Sequence, residues 1–313
     1  MPELRVGDRC WQVAAGSDLL DALNQAGCRI PFSCRAGSCQ ACLVRCLEGE
    51  PADARPEALD PLRRAQGWRL ACQCRVVADL RVEAFDPRRD GMPAEVAAAD
   101  WLAPDILRLR LRPERPLRYV AGQHLLLWSD QGVARPYSLA SLPGEDPWLE
   151  FHLDCRAAGA FCARARHLLP GDGLRLGALG GGALRYEPDW QERPLLLLAS
   201  GTGLAPLWSL LREALRQAHS GPIRLIHLAR EPAGHYLAEP LRALAARHPQ
   251  LSVELPCAAD LPAVLAEFRL VPRRTLALLC GHPERIEGVA RQLYLAGLPR
   301  SNLLAEAFLP HAP

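Results

Sequence analysis

The sequence contains no lysine, so all 37 of its basic residues are arginine, set against 35 acidic residues. A net charge of +2 argues against a dedicated nucleic-acid binder, which carries a strong basic excess. Residues 1–8 lack the apolar core of a secretory signal, and the longest apolar run, residues 195–200, is far too short to span a bilayer. These absences predict a cytoplasmic protein without a membrane segment.

The sequence also lacks internal repeats, a serine nucleophile elbow and histidines at metal-ligand spacing. Its 12 cysteines in 313 residues are too sparse for an extracellular disulfide scaffold, so the thiols are expected to stay reduced. A chain of this length exceeds one ordinary core and predicts two or three domains.

Three different patterns follow one another along the chain. Residues 1–88 combine a hairpin, a helix at residues 18–26 capped by Ser17, and a cysteine-rich loop. Residues 94–188 hold short strands at regular spacing, which favour an antiparallel barrel or sandwich. In residues 192–313 strands and helices alternate, which predicts a parallel α/β sheet covered on both faces. The sequence therefore predicts a multidomain protein of mixed α+β and α/β class.

Four cysteines carry the strongest chemical signal. Cys34, Cys39 and Cys42 stand at x4 and x2 spacing, and Cys72 follows after 29 intervening residues. This is the spacing of plant-type ligands for a [2Fe–2S] cluster. The alternatives are buried thiols or a structural zinc site, but zinc ligands usually come as two closely spaced pairs, a layout that these cysteines fit poorly.

Residues 1–85 resemble a plant-type ferredoxin, and Leu70-Ala-Cys72-Gln is similar to the segment that supplies the last ligand in that family. The resemblance implies a β-grasp fold and favours Cys72 over the nearby Cys74 as the fourth ligand. Gln40 stands where ferredoxins commonly have glycine, which implies altered hydrogen bonding near the cluster without loss of a ligand.

A second group of motifs lies in the middle of the chain. Arg135-Pro-Tyr137-Ser138, together with glycine-containing segments at residues 159–162 and 170–174, resembles the flavin domain of the ferredoxin–NADP reductase superfamily. The resemblance implies that Arg135 faces a flavin phosphate, that Tyr137 stacks on the isoalloxazine, and that Ser138 approaches its N5 atom. A guanidinium fork suits phosphate, and a flat aromatic ring suits a flat cofactor.

The segment Gly159-Ala-Phe161-Cys162 is expected to open a helix whose first backbone N–H groups bind pyrophosphate. The resemblance therefore implies FAD rather than FMN. Cys162 stands where the family usually has serine or threonine. His152 is expected to line the flavin through its backbone.

The third group of motifs points to a nucleotide. A Gly-Thr-Gly segment follows a buried-type strand and precedes a helix, the position at which a parallel sheet binds phosphate. Farther on, Cys280-Gly-His-Pro is similar to the family's Cys-Gly-x-Pro motif, whose cysteine lies by the nicotinamide. The alternative for Cys280 is a buried thiol at a strand end. The residues of these two motifs expected to contact the nucleotide are Gly201, Thr202, Gly203, Gly281 and Pro283.

Four further residues complete the predicted sites. Glu306 and Phe308 resemble the family's acidic and aromatic residues close to the flavin, and an exposed tail is the alternative interpretation. Arg230 suits the 2′-phosphate of NADPH, whereas the adjacent Glu231 suits the ribose hydroxyl of NADH. The choice of nucleotide therefore stays open, with a preference for NADH.

The resemblance to the superfamily covers nearly the whole chain and implies an enzyme. Ser138, Cys280 and Glu306 would act at the flavin and the nicotinamide. Electrons would pass from NAD(P)H through FAD to the [2Fe–2S] cluster and then to a partner protein. The resemblance implies that this partner is an oxygenase component or a similar acceptor enzyme. The expected assembly is a monomer with an antiparallel flavin-binding barrel and a parallel α/β nucleotide domain. The alternative is a non-catalytic redox or nucleotide sensor that regulates a partner.

Overall fold

The computed structural model describes residues 1–157, 159–181, 183–266, 270–271 and 273–309. The last four residues of the third predicted domain, 310–313, lie outside this description. Within the described residues no helix is long and apolar enough to cross a bilayer.

The first 84 residues form two small sheets and two short helices. Strands β1, β2, β4, β6 and β8 make a five-stranded sheet in the order β2-β1-β8-β4-β6, while β3, β5 and β7 make the second. The elements are β1 (Glu3–Val6), β2 (Arg9–Gln12), β3 (Ser17–Asp18), α1 (Leu19–Gln25), β4 (Leu43–Glu48), β5 (Ala52–Asp53), α2 (Pro61–Ala65), β6 (Trp68–Leu70), β7 (Cys74–Val76) and β8 (Leu80–Ala84).

The predicted start of α1 was wrong by one residue. The cap is Asp18, whose carboxylate accepts a hydrogen bond from the N–H of Asp21 at 3.0 Å. Ser17 instead belongs to β3, and its hydroxyl donates to the carbonyl of Ala14. A carboxylate one residue on therefore competes successfully with the hydroxyl for the helix N-terminus.

The middle of the chain forms one six-stranded antiparallel sheet in the order β12-β11-β14-β9-β10-β13. An isolated antiparallel bridge between Leu139 and Phe151 joins the end of β12 to β13, the two outer strands. The elements are β9 (Met92–Ala103), β10 (Ile106–Pro113), β11 (His124–Trp128), β12 (Ala134–Ser138), β13 (Leu149–Asp154), α3 (Ala160–Ala165) and β14 (Gly173–Gly180).

Two strands of this sheet, β9 and β14, are not evident from the sequence. The pairing of β9 with β10 has two irregularities, which break the alternation of inward and outward residues. Strand β14 contains Gly177, where a Cβ atom would lie 2.8 Å from the indole nitrogen of Trp128. Glycine therefore serves close packing here, although it usually argues against a strand.

The last third forms a five-stranded parallel sheet in the order β17-β16-β15-β18-β19, as the alternation of strands and helices predicts. All six residues of β15 are buried, and apolar clusters cover both faces. The elements are β15 (Leu195–Ser200), α4 (Leu204–Arg216), β16 (Ile223–Leu228), α5 (Ala238–Arg247), β17 (Leu251–Glu254), α6 (Leu261–Ala266), β18 (Leu276–Gly281), α7 (Pro283–Leu295) and β19 (Leu303–Ala307).

The strand order of this sheet reverses between β15 and β18. A parallel sheet of this kind has a crevice at the carboxyl ends of the two strands where the order reverses. Ser200 ends β15, and Cys280 and Gly281 end β18. The fold therefore places the two predicted nucleotide motifs side by side.

Candidate active site and cluster-binding loop

The four predicted ligand cysteines come together as two pairs. The thiols of Cys34 and Cys39 hydrogen-bond to each other, and so do those of Cys42 and Cys72. Among the described residues, no group of three or more His, Cys, Asp or Glu is arranged to hold a single metal ion. Two pairs suit a cluster of two irons with two thiolates each.

Backbone amides support negative charge on these sulfurs. The N–H groups of Ala36 and Cys39 each donate to the Cys34 sulfur at 3.3 Å. Hydrogen bonding from the Cys39 thiol, aided by these amides, lowers the pKa of Cys34 to about 4. In the second pair, the Cys42 thiol lowers the pKa of Cys72 to about 7, with help from the amide of Gly37. The same thiol contacts raise the pKa values of Cys39 and Cys42, so each pair favours one thiolate, at Cys34 and at Cys72.

Side chains of the first domain donate hydrogen bonds to two carbonyl groups of the cysteine loop. Arg35 and Gln40 have positive φ angles of 48° and 54°, a conformation that side-chain-bearing residues adopt at a cost. Gln73 donates to the carbonyl of Arg35, and Arg55 donates to the carbonyl of Ala36, both at 3.0 Å. These contacts hold the loop in the conformation that aims its amides at the sulfurs.

A cavity of about 200 Å³ joins the cysteine loop to the predicted flavin residues. Its lining combines Cys34 and Cys39 of the loop with strand β12 and residues 306–309. Its lining residues are Ser33, Cys34, Ser38, Cys39, His124, Arg135, Pro136, Tyr137, Ser138, Glu306, Ala307, Phe308 and Leu309. The structure therefore brings two separately predicted sites against one space.

Tyr137 lies where β12 meets the start of α3. Its ring centroid is 5.2 Å from that of Phe161, and its hydroxyl is 3.9 Å from the Cys162 sulfur. The Cys162 thiol donates to the carbonyl of Asp154 at 3.3 Å, and Gly159 caps the helix. Burial raises the pKa of Tyr137 well above its ordinary value, so the phenol stays neutral.

A second cavity, of about 160 Å³, shares part of its lining with the first. Pro136, Tyr137, Ser138 and Phe308 line both cavities. The remaining lining residues of the second cavity are His152, Asp154, Thr202 and Ala205. The four residues common to both cavities, the shared wall, thus line one cavity together with the cysteine loop and another together with Thr202 of the Gly-Thr-Gly segment.

The ring of His152 is engaged inside the protein. Its Nδ1 atom is 3.2 Å from the hydroxyl of Tyr236, and its Nε2 atom is 3.1 Å from the carboxylate of Glu150. Tyr236 precedes α5 of the parallel sheet, so this contact joins the two larger parts of the molecule. His152 therefore lines the second cavity, while its two ring nitrogens contact Tyr236 and Glu150.

The nucleotide motifs approach each other so closely that only glycine fits. A Cβ atom on Gly203 would lie 2.1 Å from the carbonyl oxygen of Cys280. Gly281 has a φ angle of 137°, and its Cβ atom would lie 2.3 Å from the carbonyl oxygen of Ser200. Cys280 is fully buried, and burial raises the pKa of its thiol well above the ordinary value. Pro283 begins α7 directly after this contact.

Glu306 and Phe308 are not part of an exposed tail, so that alternative was wrong. Glu306 belongs to β19, where it pairs with Cys280, and its carboxylate lies 3.4 Å from Nδ1 of His124. The N–H of Phe308 donates to the carbonyl of Gly281 at 2.8 Å. Arg230, in contrast, lies exposed after β16 and lines neither of the two cavities.

Sequence reasoning missed the part played by His124. This residue opens β11, directly opposite Ser138 of β12, and is 5% exposed. Its Nε2 atom is 3.2 Å from the carbonyl oxygen of Ser38 in the cysteine loop. Only the pairing of β11 with the predicted flavin strand β12 could have suggested it as a site residue.

Comparison with known protein families gives matches in the first and the last third of the chain. A 2Fe-2S iron-sulfur cluster binding domain matches residues 7–77, and an oxidoreductase NAD-binding domain matches residues 197–260. The ferredoxin–NAD(P)(+) reductase component of the naphthalene 1,2-dioxygenase system of Pseudomonas putida is 31% identical, over 98% of each chain. The reductase component of phenol 2-monooxygenase of Pseudomonas sp. (strain CF600) is also 31% identical, over 95% of this chain and 91% of the relative.

Solved structures agree with these relatives. The Amycolatopsis cytochrome P450 reductase GcoB superposes with a TM-score of 0.68 at 28% identity, over 100% of each chain. A ferredoxin reductase in carbazole 1,9a-dioxygenase gives a TM-score of 0.65 at 25% identity, over 98% of each chain. The chain therefore belongs to the family of ferredoxin–NAD(P)(+) reductase components, oxidoreductases that combine a [2Fe–2S] cluster with FAD and NAD(P)H.

Proposed function

We propose that this chain takes electrons from NAD(P)H, passes them through FAD to a [2Fe–2S] cluster and delivers them to a partner oxygenase. The observation that carries the proposal is the wall shared by the two cavities. Tyr137, Ser138 and Phe308 line one cavity together with the cysteine loop and another together with Thr202. A cofactor held at this wall is in reach of both the nucleotide and the cluster.

The proposed flavin contacts come from β12 and α3. A bound FAD would accept the two electrons of a hydride and release them one at a time, because a [2Fe–2S] cluster takes single electrons. Arg135 would hold a flavin phosphate, while Tyr137 and Ser138 would face the ring. Gly159, Phe161 and Cys162 at the start of α3 would face the pyrophosphate, and His152 would line the ring pocket. Tyr137, Ser138 and His152 all line the second cavity, and Tyr137 contacts Phe161 of α3, which supports these roles.

The proposed nucleotide contacts surround the crevice between β15 and β18. Backbone N–H groups there suit phosphate, because they lie at the start of α4. Cys280 and Glu306 would flank the reacting rings, with Phe308 between the two cavities. The residues assigned to the nucleotide are Gly201, Thr202, Gly203, Arg230, Gly281 and Pro283. NADH is the proposed donor, and Glu231 beside Arg230 is the feature that favours it over NADPH.

The proposed domains are residues 1–88, 94–188 and 192–313. Each range has an apolar cluster of its own and sheets that share no strand with another range, although β9 begins two residues before the second range; this supports the division. We propose a β-grasp fold for the first, supported by helix α1 packed against a mixed sheet. The bridge between Leu139 and Phe151 supports closure of the second into a barrel.

The acceptor is proposed to be an oxygenase component, because the relatives are themselves components of oxygenase systems. We propose that Cys34, Cys39, Cys42 and Cys72 bind the cluster that delivers these electrons. We propose a cytoplasmic location, which is supported by the lack of a disulfide among the 12 cysteines. A monomer is proposed, since exposed large apolar side chains are scattered from Leu47 to Leu309 rather than gathered in one segment.

An anaerobic titration of the purified holoprotein tests the proposal. Stepwise addition of NADH is expected to bleach the flavin absorbance and then to produce the electron paramagnetic resonance (EPR) signal of a reduced [2Fe–2S] cluster. A holoprotein whose cluster is reduced by dithionite but never by NADH or NADPH would contradict electron transfer and favour a sensor. Comparing turnover with the two nucleotides settles the preferred donor.

A further inference from the structure

His124 belongs to the antiparallel sheet but reaches into the cysteine loop. It lies at the start of β11, and its Nε2 atom approaches the carbonyl oxygen of Ser38 at 3.2 Å across 86 residues of sequence. A carbonyl oxygen only accepts hydrogen bonds, so Nε2 carries the proton and His124 donates. The loop carbonyl is therefore held by a side chain from outside its own sheet.

One peptide group separates this hydrogen bond from a ligand sulfur. The carbonyl of Ser38 and the N–H of Cys39 belong to the same peptide unit, and that N–H donates to the Cys34 sulfur at 3.3 Å. Hydrogen bonds in series polarise one another, so a donor at the carbonyl makes the N–H a stronger donor. His124 thus acts on Cys34 through a single peptide group.

Apolar side chains pack against one side of this chain of hydrogen bonds. Cys39 and Ala41 of the loop share an apolar cluster with Leu126, Trp128 and Ala134, which lie on β11 and β12. Beside them, Phe85 stacks on Trp128 with ring centroids 5.5 Å apart and an angle of 19°. The burial of the His124 ring and this apolar contact limit water on one side of the hydrogen bond, which strengthens the electrostatic effect of His124 on the loop.

The other loop carbonyls named above are held from within the first domain. Gln73 binds the carbonyl of Arg35, and Arg55 binds the carbonyl of Ala36. At Ser38 the donor comes instead from the sheet that carries the predicted flavin strand. The hydrogen bond from His124 consequently exists only while the two sheets are in contact.

We propose that His124 is a positioning residue that raises the reduction potential of the cluster through the Ser38–Cys39 peptide. The proposal rests on the proposed function only in assigning Cys34 to a cluster. Reduction adds one negative charge to the cluster, and donors to the ligand sulfurs stabilise that charge. Contact between the sheets therefore makes the cluster a better electron acceptor at the point where electrons would arrive.

Four variants of the full-length holoprotein separate a hydrogen-bonding role from a packing role. His124→Phe and His124→Leu both remove the donor, and the first keeps an aromatic ring. His124→Gln keeps an N–H donor at similar reach. His167→Leu makes the same change at an exposed histidine of the second domain and serves as the control. The readouts are the cluster potential, from dithionite titration with redox mediators, and the EPR spectrum of the reduced cluster.

The expected result is a shift of the potential to a more negative value in the variants without a donor, with altered EPR g-values. His124→Gln is expected to keep most of the wild-type potential, and His167→Leu is expected to leave it unchanged. Wild-type potentials in both donor-free variants would overturn the proposal. An equal shift in His124→Gln would also overturn it, because packing would then be the cause. Dithionite reduces the cluster directly, so failure of NADH to reduce it would contradict the proposed function and leave this test intact.

Discussion

At the scale of single residues, the account depends on four thiols and two glycines that cannot be exchanged for other residues. The thiols form two pairs that suit two irons, and Gly203 and Gly281 allow two backbone segments to touch. For each group, another cysteine or glycine of the chain lacks the same constraint. Those residues supply the controls for the first two predictions.

Cys72→Ser is expected to abolish the [2Fe–2S] cluster while flavin reduction by NADH continues. The reason is that the fourth ligand belongs to the first domain, whereas the predicted flavin contacts come from β12 and α3. Iron content and visible spectra measure the first effect, and anaerobic flavin bleaching measures the second. Cys46→Ser, at a half-buried thiol not predicted to be a ligand, should retain the cluster. Parallel loss of both functions in Cys72→Ser would contradict the modular account.

Gly203→Ala is expected to raise the KM for NADH by at least about tenfold, because misplacing a binding segment by even 1 Å is costly. The new Cβ atom would meet the rigid backbone of Cys280 rather than a flexible side chain. Gly288→Ala is the control, since its Cβ atom would meet open space in α7. That change should stabilise the protein by about 0.5–1 kcal/mol and leave the KM unaltered. Equal KM values in the two variants would contradict the close contact.

At the scale of secondary structure, the predictability of an element follows the regularity of its apolar pattern. The buried runs of β15 and β18 predict a parallel sheet, because such strands are apolar on both faces. Strand β19 was missed, since none of its five residues is fully buried and it has no regular apolar pattern. The cysteine spacing predicts the ligands, whereas the contact of His124 with Ser38 depends on how two distant sheets meet.

Strand β16 carries a histidine that makes stability depend on pH. Burial, followed by the neighbouring His235, lowers the pKa of His227 to about 3, and its Nε2 atom lies 3.1 Å from the carbonyl of Gly201. Below about pH 6.5 His227 is protonated in the unfolded chain but stays neutral in the folded protein. The free energy of unfolding therefore decreases as pH falls. The loss between pH 7 and pH 5 is expected to be about 2 kcal/mol.

Urea denaturation at pH 7 and pH 5 measures this effect, with His227→Asn as the comparison. The variant should lose less stability on acidification than the wild type, because it has no ring to protonate. His219 and His235 have pKa values lowered in the same direction by burial, so part of the pH dependence remains. An unchanged pH dependence in the variant would show that His227 is not its source.

At the scale of the whole molecule, the three parts of the chain meet around the shared wall. Ser209 of α4 donates to the carbonyl of Ser141, which ties the parallel sheet to the antiparallel one. On the other side, Phe85 and Trp128 join the cysteine-bearing part to the same antiparallel sheet. This arrangement implies that electron transfer within the chain needs no large rearrangement.

Phe85→Ala is expected to slow electron delivery through the cluster by about tenfold, because it removes the aromatic contact that fixes the cysteine loop. Reduction of cytochrome c would report delivery through the cluster, and reduction of the small ion ferricyanide would report electrons leaving the flavin. Only the first rate should fall. Tyr294→Ala, at an exposed aromatic residue of α7, should change neither. A fall of both rates in Phe85→Ala would contradict a role confined to the junction.

The order of electron transfer within one turnover tests the central claim most directly. In this measurement, anaerobic holoprotein is mixed with one equivalent of NADH in a stopped-flow instrument, and flavin and cluster absorbance are followed together. The account predicts that the flavin bleaches first and that the cluster bleaches as the flavin recovers part of its absorbance. A cluster that is reduced before the flavin, or that stays oxidised after the flavin is fully reduced, would contradict it.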